Sequence, residues 1–110
     1  MNERERRIGE NEALFREVNE RVRETSETFD VGRGDAEFVC ECGTVSCVDR
    51  IRMTLDEYER VRADATTFVI VPGHEEPDVE IVVAHEGRFS IVRKHRGAAE
   101  EIAIHTDPRS

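Results

Sequence analysis

Three cysteines fall within eight residues, Cys40, Cys42 and Cys47, in the spacing C-x-C-x4-C. In an extended segment side chains two apart share a face, so Cys40 and Cys42 aim at one point. A tight turn containing Gly43 returns Cys47 to that point. Thiolates gathered so closely repel one another unless they are protonated or neutralised, and the cation that soft sulfur ligands favour here is zinc. Zinc completes a tetrahedron with a fourth ligand. That ligand is expected to be His74, in Pro72-Gly73-His74-Glu75 just past an apolar strand, where a turn tightened by proline and glycine can aim an imidazole at the neighbouring hairpin. His85 at a hairpin tip, His95 at a strand end and His105 in the tail are less well placed. Glu41 and Asp49 lie close in sequence, but carboxylates lose to imidazole beside three thiolates.

A site of three cysteines and one histidine is full, and a full site points to a structural rather than a catalytic metal. The sequence carries no H-E-x-x-H, no G-x-S-x-G and no redox-active C-x-x-C. Gly32-Arg33-Gly34 lacks the third glycine and the strand–helix setting of a phosphate loop. A metal clip also suits a small domain with a thin core. The competing reading is that the same cysteines react, as a thiol redox sensor that releases zinc on oxidation or as a metal-dependent enzyme.

The elements that must position these ligands follow from periodicity. Residues 1–29 read as one amphipathic helix, with Ile8, Phe15, Val18, Val22 and Phe29 recurring every three or four residues and Asn11 and Thr25 in the gaps. Glu3/Arg7, Glu12/Arg16 and Glu17/Arg21 are i,i+4 pairs in the favourable order. The stripe either docks on the chain's own sheet or forms a short seam for a second copy or another protein. Gly32 and Gly34 make 30–37 a linker. Residues 38–105 form the zinc-binding α+β domain: strand 38–42, turn 43–46, returning strand 47–53, then Thr54-Leu55-Asp56-Glu57 as a capping box opening a helix that ends near Asp64. Phe68–Val71 is a buried strand. Residues 79–85 and 89–94 read as a hairpin with Glu80 opposite Arg93 and Val82 opposite Ile91, although Pro77 could instead open a short helix. Residues 98–104 can form a helical turn or two, and 106–110 are a polar tail.

Composition sets the outer bounds. The chain of 110 residues has 25 acidic residues against 16 basic ones, a net charge of −9, and 37% apolar residues. That acidity disfavours nucleic acid and anionic lipid, which are gripped by clustered Lys and Arg. No apolar run is long enough to cross a bilayer. No hydrophobic segment follows Met1–Arg7, so no secretory signal is expected, and three cysteines cannot all pair within one chain. Reduced thiols in a cytoplasmic protein are the expectation. Lys94 is the only lysine; the arginine bias fits a GC-rich genome.

The chain resembles a group of short bacterial proteins of actinobacterial type. The resemblance runs from Asn11 to about Arg109. It is carried by Asn11-Glu12-Ala13-Leu14-Phe15-Arg16-Glu17-Val18-Asn19-Glu20-Arg21, by Cys40-Glu41-Cys42-Gly43 with Cys47, by Glu57-Tyr58-Glu59 and Val61-Arg62, and by Pro72-Gly73-His74-Glu75. It implies a metal site in which Cys40, Cys42, Cys47 and His74 act together, and brings no activity, partner or substrate with it. The sequence expectation is therefore a small cytoplasmic α+β protein with a structural zinc, acting as an interaction or regulatory module through its N-terminal helix.

Overall fold

The computed structural model describes residues 3–28 and 35–109. Helix α1 (Glu3–Thr28) precedes strands β1 (Asp35–Val39) and β2 (Arg50–Thr54), helix α2 (Leu55–Arg62), strands β3 (Thr67–Ile70), β4 (Glu80–His85) and β5 (Ser90–Lys94), and helix α3 (Ala98–His105). The architecture is α+β, with every strand pairing antiparallel. The strands form two sheets, β1-β2 and β3-β5-β4. They are stitched where the chain leaves β1: the Glu41 amide donates to the Val69 carbonyl of β3 at 2.8 Å. Phe38, Ile51, Met53, Tyr58, Val61, Phe68, Ile70 and Val92 fill the core, with the Phe38 and Tyr58 rings stacked 4.4 Å apart.

Helix α2 starts where a capping box places it. The Glu57 amide donates to Thr54 Oγ1 at 3.0 Å, and the Thr54 amide donates to Glu57 Oε1 at 2.8 Å, satisfying two of the helix's orphan donors. Residues 80–85 and 90–94 form the expected hairpin, not a helix, but its register is shifted by one. Glu80 pairs with Lys94 and Val82 with Val92, and a bulge at Val83 then sets Ala84 against Ile91. A one-residue slip turns side chains to the other face of a sheet. The observed register is the one that brings Glu80 and Lys94 together inside the protein, where both side chains have 0% exposure.

The segment boundaries differ from expectation at three places. Asp35–Glu37, placed in the linker, already belong to β1. The strands around the cysteines stop at Val39 and restart at Arg50, so 40–49 is an irregular loop. The tail is tied down: Asp107 pairs with the buried Arg62, and Arg109 donates to Glu20 and Glu59 at 2.8 Å. Residues 29–34, including Phe29 and most of the expected linker, lie outside the described residues.

Helix α1 packs on the rest of the chain, but only part of the expected apolar stripe, Ile8 with the half-buried Phe15 and Val22, takes part. Its buried face is Ile8, Glu12, Arg16, Asn19 and Glu20; Phe15 and Val22 are half-buried and Val18 is 40% exposed. Glu12 and Arg16 do not pair with each other. Glu12 meets the Lys94 ammonium, which also meets Glu80. Arg16 donates to the carbonyls of Ala65 and Ala103 at 2.7 Å each and lies over the Phe68 ring. The helix crosses loop ends and strand ends whose carbonyls and charges need partners, and long polar side chains supply them.

Candidate metal centre

Two turns and a pinned loop build the site. The Cys47 amide donates to the Thr44 carbonyl at 3.0 Å, closing a turn that swings Cys47 back toward Cys40 and Cys42. Across from it, the His74 amide donates to the Val71 carbonyl at 3.0 Å, and Gly73 has φ +94°. Pro72 and Gly73 thus occupy the second and third positions of a type II turn, whose third position requires positive φ. The base of the loop is held by the Cys40 amide donating to Asp49 O at 3.1 Å.

The two turns bring together all four residues singled out from the sequence. One ligand atom from each of Cys40, Cys42, Cys47 and His74 lies within 4.8 Å of the others, and the group could hold a metal ion. His74 Nδ1 is 3.5 Å from Cys40 Sγ and 3.8 Å from Cys47 Sγ. A tetrahedral zinc with ordinary bond lengths would set sulfur and nitrogen about 3.6 Å apart and two sulfurs about 3.8 Å apart. These two nitrogen–sulfur separations are close to those that one small cation imposes. His85, His95 and His105 are exposed and take no part; His85 Nδ1 instead meets Ser90 Oγ at 2.9 Å.

The Val71 amide donates to Cys40 Sγ at 3.2 Å. Protons are unevenly shared among the thiols. The hydrogen bond from Cys40 holds Cys42 well below the usual thiol range, while that donation and burial push Cys40 up. Burial likewise raises Cys47.

Asp49, Glu41 and Asn19 surround the four ligands; the first two are the carboxylates close to the cysteines in sequence, and Asn19 comes from the distant α1. Asp49 Oδ2 stands 3.5 Å from His74 Nε2, which places a carboxylate beside the ring nitrogen opposite the one facing the sulfurs, where a metal-ligating histidine commonly has its partner. Glu41 points away from the thiols and is completely buried. Its carboxylate accepts from Asn19 Nδ2 at 2.7 Å, the Val69 amide at 3.0 Å and the Tyr58 hydroxyl at 3.2 Å. Asn19 in turn accepts from the Val39 amide at 2.8 Å and donates to the Val39 carbonyl at 2.9 Å. One signal for Glu41 was present: if Cys40 and Cys42 face the metal, the residue between them faces the core.

Cys40 and Cys42 are buried, whereas Cys47 and His74 are half-buried. Both of these line an open depression of about 500 Å³ together with Thr44, Ser46, Val48, Asp49 and Glu75. Among the described residues no helix is long and apolar enough to cross a membrane. The chain matches no family model, no curated protein and no solved structure.

Proposed function

We propose that this chain is a small zinc-binding protein of the cytoplasm, in which a structural zinc is held by Cys40, Cys42, Cys47 and His74, and that it acts as a non-catalytic interaction or regulatory module. The observation that carries the reading is the convergence of four soft or borderline donors within 4.8 Å. Three thiolates and an imidazole select zinc over hard cations such as calcium or magnesium. Four protein ligands leave no position for water or substrate, which argues for a metal that fastens the 40–49 loop to the turn after β3. The N–H···S bond from Val71 to Cys40 and the Asp49–His74 contact are supports of the kind such a site uses.

Cobalt substitution tests the site directly. Co(II) added to the reduced chain should give intense tetrahedral ligand-field bands and a sulfur-to-metal charge-transfer band at one equivalent, displaced by one equivalent of zinc. A weak octahedral spectrum would overturn the ligand set. For the partner, the reading is contact through the N-terminal helix, with a second copy or another protein. Leu14 and Val18 are exposed on α1, and light scattering on the full chain and on Leu14→Glu tests self-association.

One observation favours a second reading, a thiol sensor: Cys47 is half-buried and lines the open depression, so an oxidant can reach a ligand sulfur. Alkylation separates the two. A structural site reacts slowly until chelator is added; a sensor reacts readily while loaded with zinc.

A further inference from the structure

Helix α1 touches the metal loop at three levels, and each contact is to the loop's own backbone or to the residue between two ligands. Ile8 lies flat on Gly43, so close that a methyl group there would stand 2.4 Å from Ile8 Cγ2. Asn11 Nδ2 donates to the Gly43 carbonyl at 3.0 Å. Asn19 spends its whole amide on the segment entering the loop: the oxygen accepts from the Val39 amide, one N–H goes to the Val39 carbonyl and the other to Glu41 Oε2. Glu41 then joins α1 to α2 through Tyr58 and to β3 through the Val69 amide. Because Glu41 sits between Cys40 and Cys42, fixing its carboxylate fixes the direction in which both thiols point.

We infer that metal loading at the Cys40, Cys42, Cys47 and His74 site and docking of α1 are coupled, with Asn19 and Glu41 as the positioning residues that carry the coupling. The inference rests on the zinc reading above and adds its regulation. With zinc bound, the loop presents its Val39 and Gly43 backbone and the Glu41 carboxylate in the one arrangement that Asn11 and Asn19 fit. When the metal leaves, the four ligands no longer hold the loop to the His74 turn, and α1 keeps its contacts to α2, α3, β3, β5 and the C-terminal tail. Among these are Arg16 with the Ala65 and Ala103 carbonyls and the Phe68 ring, Glu12 with Lys94, and Glu20 with Arg62 and Arg109. The metal then controls how tightly the N-terminal helix is held. Coupling of this kind is reciprocal: the factor by which zinc strengthens docking equals the factor by which docking strengthens zinc binding.

Hydrogen exchange on the full reduced chain, with zinc and with excess chelator, tests it. Outer partners of metal ligands contribute about 10- to 100-fold to affinity, so amides of residues 8–20 should exchange at least about tenfold faster once zinc is removed. The 80–94 hairpin should change little. The second arm is Asn19→Ala, with zinc affinity read by competition against a chromophoric chelator: about tenfold weaker binding is expected, while Arg21→Ala on the exposed side of α1 leaves it unchanged. Faster exchange confined to 40–49 and 71–76, or spread evenly over the chain, overturns the coupling through α1 while leaving the zinc site standing. A chain that binds no zinc at all overturns the site as well. Because the exchange arm uses the unaltered protein, it decides the matter even if Asn19→Ala fails to fold.

Discussion

Substituting Gly43 by alanine puts a number on how closely α1 is seated against the metal loop. The new Cβ would lie 2.4 Å from Ile8 Cγ2, 3.1 Å from its Cβ and 3.3 Å from its Cα. Carbon atoms in contact prefer about 3.5–4.0 Å, so the first overlap exceeds an ångström and the other two are also too close. Ile8 cannot swing clear, because a β-branched side chain on a helix has essentially one χ1 rotamer and its Cα is itself involved. The helix or the loop must back away, and overpacking of this kind costs about 1–3 kcal/mol. Ile8→Ala alone removes a side chain that is only 7% exposed, packed with Val79 and Ala99, at a cost of about 2–4 kcal/mol. In the double variant the worst overlap disappears with Cγ2, so its cost should fall short of the sum by about 1–2 kcal/mol. Urea unfolding of the four zinc-loaded proteins measures all three values. A Gly43→Ala cost under about 0.5 kcal/mol, or strict additivity, would refute the close seating on which the coupling of helix and metal depends.

Four other outcomes follow from named contacts. Glu12, Glu80 and Lys94 place two carboxylates on one ammonium with no exposure, and burial drives Glu12 well above the usual carboxylate range. A carboxyl raised in the folded state stabilises fully below its unfolded value near 4.5, and that contribution is lost as pH climbs toward the folded value. Glu12→Gln should therefore gain on the parent in urea midpoint between pH 5 and 8, whereas parallel profiles would show that Glu12 does not hold a proton. Lys94→Met leaves the buried Glu80 carboxylate without its ammonium and should cost about 3–5 kcal/mol. Asp49→Asn should weaken zinc binding about tenfold in chelator competition by releasing the outer nitrogen of His74; unchanged affinity would mean the contact does not orient the ring. Arg62→Ala, which strips the buried partner from Glu20 and Asp107, should cost about 3–5 kcal/mol, while Arg6→Ala on the open face of α1 should leave the unfolding curve where it was.

What was readable in the sequence is what depends on short-range rules. The C-x-C spacing and the Pro72-Gly73 turn each act over a few residues, and the structure brings Cys40, Cys42, Cys47 and His74 to one point; the turn that returns Cys47 spans Thr44–Cys47, one residue past the expected 43–46. The Thr54–Glu57 capping box is equally local and is present in both its hydrogen bonds. The buried side of α1 was readable only at Ile8, because helical periodicity selects apolar residues and the rest of this interface is made of Glu12, Arg16, Asn19 and Glu20. Their partners lie far off in sequence: Lys94, the carbonyls of Ala65 and Ala103, Glu41 and Arg62. The hairpin register failed for the same reason. Glu80 opposite Arg93 satisfies charge locally, but only pairing with Lys94 serves the buried triad that Glu12 completes across the molecule. Glu41 looked like a spare carboxylate near the candidate ligands and instead accepts buried hydrogen bonds from Asn19, Val69 and Tyr58.

Zinc stoichiometry is the most direct measurement. The reduced chain, exposed to excess zinc and freed of unbound metal by gel filtration, should carry one zinc per chain by elemental analysis. The same procedure on Cys42→Ser and His74→Ala should show that zinc is lost from the first and weakly retained by the second. A folded parent without bound metal, or full zinc retained in both variants, would contradict a site built from Cys40, Cys42, Cys47 and His74.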